Sequence, residues 1–279
     1  MSMHTNQHKP TLVLGGTGKT GRRVAERLLA RGLPVRIGSR SGQPPFDWSN
    51  PATWTPALEG VGAVYISYYP DVAAPGGVEA VSSFAKAAVD SGVRRLVLLS
   101  GRGEPEAEEA EAAVRDSGAD LTILRATWFA QNFSEGFMLE PVQQGVIALP
   151  AGDTPEPFVD LDDIADVAVA ALTEDGHIGQ LYELTGPRLL TFAEVAEEIA
   201  EVTGREIRYV PISIEEYATA ATEQGLPGEV VDLLRYLFGV VLDGRNARVT
   251  NGVQRALGRP PRDFSDYTRT TAATGVWAA

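Results

Sequence analysis

Through the first half of the chain, short apolar runs alternate with longer stretches of helical period. Residues 11–14, 34–38, 63–66, 95–99 and 121–124 read as strands, because each is a brief apolar run bounded by turn residues. Between them, residues 24–30, 78–91 and 106–116 space their apolar side chains as a one-sided helix does, and Gly92 supplies a C-cap for the second. Residues 39–50 are rich in Gly, Pro and Ser and read as loop. This alternation predicts an α/β fold built on a parallel sheet. The pattern changes after Arg125. Aromatics crowd residues 128–133, residues 164–172 form an apolar helix, and residues 181–184 read as one more strand returning to the sheet. From Thr191 the chain is mostly helical, opening with the capping-box sequence Thr191-Phe192-Ala193-Glu194 and continuing over residues 215–224, 229–242 and 264–271. The expected organisation is a tail over residues 1–10, a sheet domain over 11–150 and a smaller, mostly helical lobe over 151–279.

The first strand runs into Gly15-Gly16-Thr17-Gly18-Lys19-Thr20-Gly21, and a helix follows. Strand, glycine turn and helix in that order open a Rossmann-type, doubly wound sheet. Glycines let the backbone turn tightly and approach a pyrophosphate, and the helix start offers unpaired N–H groups. A phosphate-cleaving P-loop does not fit, because its earlier glycine would fall at Val13. In open sheets of this kind, ligands lie past the carboxyl ends of the strands. That rule selects residues 15–21, 39–41, 67–70, 100–103 and 125–133 as site candidates.

Composition removes several chemistries. The 279 residues include no cysteine, so disulfides, thiolate catalysis and cysteine-bound metals are out. The histidines are His4, His8 and His177, too few and too scattered for a histidine metal site or a catalytic triad. A net charge of −13 repels phosphate backbones and argues against nucleic acid as a partner. No apolar stretch is long enough to cross a bilayer and the N-terminal residues are polar, so the expected location is the cytoplasm with no membrane partner. The oligomeric state is left open.

The end of the second strand decides between cofactors. NAD sites usually carry an acid there for the ribose hydroxyls, but this chain has Ser39-Arg40-Ser41, and the next acid is Asp47. Arg40 can fork onto a 2′-phosphate, with Lys19 reaching it from the glycine loop, so the expected cofactor is NADPH/NADP. The expected cofactor-binding residues are Gly15, Thr17, Gly18, Lys19, Thr20, Gly21, Ser39, Arg40, Ser67 and Ser100.

A Tyr-x-x-x-Lys pair, the usual proton donor of short-chain dehydrogenases, is absent. Ser82 stands four residues before Lys86, Gly15 four before Lys19, and Lys9 lies in the tail. Two readings survive. One is a reductase whose acceptor needs little acid help, such as an imine, iminium ion or quinone. The other is a non-catalytic NADP(H)-binding redox sensor that acts through a protein partner.

Several segments resemble the NmrA-like atypical short-chain dehydrogenases: the glycine loop, the basic end of the second strand, Leu98-Leu99-Ser100, and Leu121-Thr122-Ile123-Leu124-Arg125. Where that group often has a lysine four positions before its glutamate, here Glu111, this chain has Ala107. A more specific likeness is to the ergot-alkaloid reductases, the agroclavine dehydrogenase and festuclavine synthase group. It is carried by Phe46-Asp47-Trp48, Thr127-Trp128-Phe129, Asn132-Phe133-Ser134-Glu135, Pro157-Phe158-Val159-Asp160, Asp162-Asp163-Ile164-Ala165, Gly186-Pro187 and Leu190-Thr191. The resemblance implies an NADPH-dependent reductase acting on a C=N or iminium bond.

Candidate catalytic residues are Ser100, Tyr68 and Tyr69. Ser100 either orients substrate or nicotinamide or serves as a turn serine. Without a lysine partner, a tyrosine here keeps a pKa near that of the free side chain and is a weak acid catalyst. Trp128, Phe129, Asn132 and Phe133 either wall a pocket for a small hydrophobic or aromatic acceptor or pack as core. Asp160, Asp162 and Asp163 precede an apolar helix and read as capping residues. Glu106, Glu108, Glu109 and Glu111 read as a solvated helix face.

Overall fold

The computed structural model describes residues 9–278; residues 1–8, with His4 and His8, lie outside the described residues. The strands and helices up to the first aromatic cluster are β1 (Thr11–Leu14), α1 (Lys19–Ala30), β2 (Val35–Gly38), α2 (Trp54–Leu58), β3 (Ala63–Ile66), α3 (Gly77–Asp90), β4 (Arg95–Gly101), α4 (Pro105–Arg115) and β5 (Asp120–Ala126). They are followed by α5 (Asn132–Glu135), α6 (Leu139–Gln144), β6 (Val146–Leu149), α7 (Leu161–Thr173), β7 (Leu181–Leu184), α8 (Phe192–Thr203) and β8 (Arg208–Pro211). The remaining helices are α9 (Ile214–Glu223), α10 (Gly228–Tyr236), α11 (Gly252–Leu257) and α12 (Phe264–Ala272).

Six strands form one sheet in the order β2-β1-β3-β4-β5-β7, and β1, β2, β3 and β4 pair in parallel. The fold is therefore the Rossmann-like α/β class. Every residue of β1 and β3 is buried, as expected for strands covered on both faces, and β2 at the edge is only half-buried. The sheet packs Leu12, Leu14, Val64, Ile66, Leu96 and Leu98 against Phe84 of α3 and Val114 of α4. Each such side chain contributes roughly 1.5–3 kcal/mol by leaving water. Because β2 and β3 flank β1 on opposite sides, the chain reverses direction across the sheet between β1 and β3. That reversal is the switch point where open sheets of this type hold ligands.

The chain divides into two compact units. One runs to Arg125 and resumes over Ile164–Tyr182; the other takes Ala126–Asp163 and the chain from Glu183. The boundary thus falls earlier than the expected one near residue 150, and most of α7 belongs with the first unit. There Arg27 of α1 pairs with Asp166 at 2.7 Å, and Arg95 donates to the Leu172 carbonyl. The second unit is not purely helical: β6 and β8 form a two-stranded parallel sheet. β8 escapes a hydrophobic-pattern reading because three of its four residues, Arg208, Val210 and Pro211, are exposed. The core of this unit is aromatic, centred on Phe133, Phe158, Phe192 and Phe264. Its helix α8 starts on the capping box read from sequence, with Thr191 Oγ1 accepting from Glu194 N and Glu194 Oε2 accepting from Thr191 N. No helix among the described residues is long and apolar enough to cross a membrane.

Candidate active site

The glycine loop leaves β1 through Gly15, whose φ of +64° is a left-handed conformation that favours glycine. Gly18 N donates to Gly15 O at 2.8 Å and closes the turn. A Cβ on Gly21 would collide with that same Gly15 carbonyl, so the helix start can approach the strand end only with glycine there. Gly16 is nearly as tight: a Cβ would stand 3.0 Å from Ile37 and from the Val13 carbonyl. Thr17 and Gly18 are exposed, whereas Thr20 and Gly21 are buried.

The start of α1 has no side-chain cap and no acid in its first turn. It carries Lys19, Arg22 and Arg23 instead, the wrong charge for a helix N-terminus unless an anion sits in front of it. The cradle that glycines leave open, the uncapped N–H groups and the cations together fit the pyrophosphate of a dinucleotide.

Ser67, the first residue past β3, stands beside Gly15, within 3.5 Å of where a Gly15 Cβ would be. The structure thus brings the ends of β1 and β3 together at the switch point. Past β2, the Ser39 carbonyl accepts from Gly42 N and Phe46 N and folds the loop back on itself, and Arg40 is exposed. Asp47, the acid nearest in sequence, is held below the usual carboxylate range by hydrogen bonds from Ser49 and more weakly by the Arg40 charge.

Tyr68 is half-buried, its ring 5.0 Å from Trp48. Trp48 belongs to a cluster with Phe46, Trp54 and Phe84 that the hydrophobic pattern does not reveal. The expectation of an ordinary Tyr68 pKa is corrected: burial, and then the nearby Glu79 charge, raise it, which makes the phenol a poorer acid still. Tyr69 is 80% exposed.

Ser100 is 4% exposed, and its hydroxyl donates to Glu111 Oε1 at 2.6 Å. Arg125 grips the same carboxylate through both oxygens, at 2.9 and 2.5 Å. Reading Glu111 as a solvated residue is therefore wrong. It lies on the buried stripe of α4 with Ala107, Ala110 and Val114, a stripe the helical period places under it. The triad Ser100–Glu111–Arg125 ties together β4, α4 and β5. Glu106 is half-buried, and Glu108 and Glu109 are exposed.

Sequence reasoning also missed Asp71 and Glu104. Glu104 is 6% exposed, and its carboxyl is pushed up to about 9 by burial, by the Asp71 charge and by a hydrogen bond with Asp71. Asp71 is raised as well, chiefly by burial.

In the second unit, Trp128 and Phe129 are half-buried. Trp128 packs edge-on to Phe192 at 5.8 Å and against Phe238 at 5.0 Å. Asn132 opens α5 and is half-buried. Phe133 has no exposed surface and contacts Phe158, Phe192 and Phe264. Asp160 accepts from Asp162 N and from the Gln131 side-chain amide at 2.7 Å each, and burial raises its pKa. Asp163 is fully buried and pairs with Arg259 at 2.7 Å and with Arg262. No group of three or more potential ligands able to hold a metal ion occurs among the described residues.

A model described as the NmrA-like family matches residues 46–241. Agroclavine dehydrogenase of Claviceps fusiformis is 33% identical over 279 residues, covering 92% of this chain and 95% of its own length. NAD(P)H azoreductase of Xenophilus azovorans is 31% identical over 283 residues, covering 94% and 98%. Among solved structures, the triphenylmethane reductase of Citrobacter sp. superposes with a TM-score of 0.77 at 22% identity, covering 95% of this chain and 99% of that one. With a family match over most of its length and relatives 31% and 33% identical along nearly the whole chain, the protein belongs to the NmrA-like family and is an oxidoreductase.

Proposed function

We propose that the protein is an NADPH-dependent reductase that delivers hydride to an electrophilic small molecule of the imine, iminium or quinone type, without a Tyr–Lys pair. The observation that carries this reading is the closed glycine turn at the β1–β3 switch point, with cations and no acid in the first turn of α1. Gly15, Thr17, Gly18, Lys19, Thr20 and Gly21 hold the pyrophosphate. Arg40, exposed at the end of β2, takes the 2′-phosphate with Ser39 and Lys19. Ser67 and Ser100 flank the cofactor at the ends of β3 and β4. The cofactor, when bound, supplies the hydride.

The chain's residues then bind and position. Trp128 and Phe129, both half-buried, receive a flat apolar acceptor and Asn132 orients it, with Phe133 in the core of the same unit. Ser100, bound by Glu111, fixes the end of β4. Tyr68 and Tyr69 follow β3 in the first unit, and the raised Tyr68 pKa supports an acceptor that needs no strong acid. The relatives named as an azoreductase and an agroclavine dehydrogenase support a reductase whose acceptor is a small molecule.

The test is NADPH oxidation with a panel of quinones, cyclic imines and azo dyes, alongside affinities for NADPH and NADH. The expected result is turnover of at least one class, with NADPH bound more tightly. Tight cofactor binding without turnover of any acceptor would overturn the reductase reading in favour of a redox sensor. Tighter NADH binding would overturn the Arg40 assignment.

A further inference from the structure

Two acids meet where the loop after β3 passes the turn after β4. Pro105 opens α4 and holds Glu104 in an extended conformation, with φ −108° and ψ 110°. Glu104 occupies the capping position of α4, yet its side chain makes no capping hydrogen bond. It folds back under Gly101, where a Cβ would collide with its carboxyl group. Counted as a carboxylate, Glu104 Oε2 is buried with no donor in reach. As a carboxylic acid it becomes a donor to Asp71, whose Oδ1 is already fixed by Ala73 N at 2.9 Å. Along the chain, Arg102 lies two residues before Glu104, and Glu106 lies in the first turn of α4, while Glu79, in the first turn of α3, acts on Tyr68 of the loop that carries Asp71. Asp71 and Glu106 both act on Glu104 as like charges. The loop that holds Asp71 begins at Ser67, which stands against Gly15.

We propose that Asp71 and Glu104 share one proton and form a latch: closed, it holds the segment 67–71 against the turn after β4 and keeps Ser67 beside the glycine loop, so that cofactor binding requires the closed state. The inference rests on the reading that NADPH is held at the glycine loop. Losing the proton leaves two buried carboxylates in contact, and their repulsion drives the loop off the turn. Glu104 is a positioning residue here and touches neither cofactor nor acceptor.

The test is a fluorescence titration of NADPH affinity from about pH 6 to 10 in the wild type and in Glu104→Gln, with carboxyl ¹³C NMR of the cofactor-free protein beside it. The amide of Glu104→Gln still donates to Asp71 but cannot ionise. Wild-type affinity is expected to fall about tenfold per pH unit above the Glu104 titration near 9, while the variant stays flat. Every other charged group is common to both proteins, so the difference between the two profiles isolates Glu104. A variant that follows the wild-type profile, or a wild type flat to about pH 10, overturns the latch. A Glu104 carboxyl titrating near the ordinary value of about 4 overturns it whatever the affinities show. Failure to bind NADPH at neutral pH, with a raised Glu104 titration intact, removes the cofactor reading and with it the functional role of the pair, but leaves the shared proton standing.

Discussion

The glycine loop of the first unit and the aromatic cluster of the second answer to different causes. At the loop the backbone decides: Gly15 needs its positive φ, and Gly21 must lack a Cβ because the Gly15 carbonyl is in the way. Both constraints come from residues within seven positions of one another. At the aromatic cluster, neighbours far away in sequence decide. Phe133 has no exposed surface because Phe158, Phe192 and Phe264 enclose it, while Trp128, five residues earlier, stays half-buried against Phe238. A glycine's role can thus be read locally, but an aromatic's role waits on the fold.

The strongest test of that contrast is Phe133→Ala. Emptying a fully enclosed aromatic site should cost about 3–5 kcal/mol, read as a shift in the denaturation midpoint. NADPH affinity, measured well below the melting temperature, should stay within about twofold, because the ring partners Phe158, Phe192 and Phe264 belong to the second unit and the glycine loop to the first. A large loss of affinity at unchanged stability would break the comparison and make Phe133 a binding residue.

Gly21→Ala probes the other side. Forcing a methyl group against the Gly15 carbonyl should cost about 1–3 kcal/mol of stability. It should also lower NADPH affinity by roughly tenfold or more, because the turn that presents the N–H groups opens. Calorimetric titration and melting curves measure both. Stability lost with affinity retained would mean that the loop does not hold the cofactor.

The same division explains what the sequence could disclose. The parallel sheet was legible because β1, β3 and β4 each contain an unbroken apolar run between turn signals. The two-stranded sheet was not, since β8 exposes most of its residues. Glu111 could have been found: it shares the helical stripe of Ala107 and Val114, and a charge on a buried stripe calls for a partner, which Arg125 supplies. Asp71 and Glu104 gave no such signal. They lie 33 positions apart in two loops, and only the parallel pairing of β3 with β4 brings the loops that follow them together.

Two carboxylates extend the contrast to pH. Asp263, in the second unit, accepts both arms of Arg188 at 2.8 and 2.9 Å, which holds it well below its ordinary 3.8. Its contribution to stability is present above that value and is lost as the pH falls through it toward the depressed folded value. Glu104 is raised from 4.5 to about 9, so the folded state binds the extra proton. Its contribution is full below 4.5 and disappears as the pH rises toward 9. Asp263→Asn should therefore flatten the acid side of a stability–pH curve, and Glu104→Gln the alkaline side. Each variant should leave the opposite side unchanged in urea melts. One variant that moved both sides would mean that the two pairs are coupled.

The smallest effect is expected at Tyr68. Its phenol is made a poorer acid by burial and by Glu79, so it has little to give an acceptor at neutral pH. Its ring, however, lies 5.0 Å from Trp48 and belongs to the aromatic group beneath the end of β3. Tyr68→Phe keeps the ring and should change kcat by less than about threefold, since general acid catalysis, where it operates, contributes about a hundredfold or more. Tyr68→Ala removes the packing against Trp48 and should disturb the segment that begins at Ser67, which would appear mainly as weaker cofactor binding. If Tyr68→Phe instead lost about a hundredfold in kcat with KM unchanged, the hydroxyl would be acting as the proton donor. The first unit would then supply a catalytic acid as well as the cofactor cradle, with no lysine beside it.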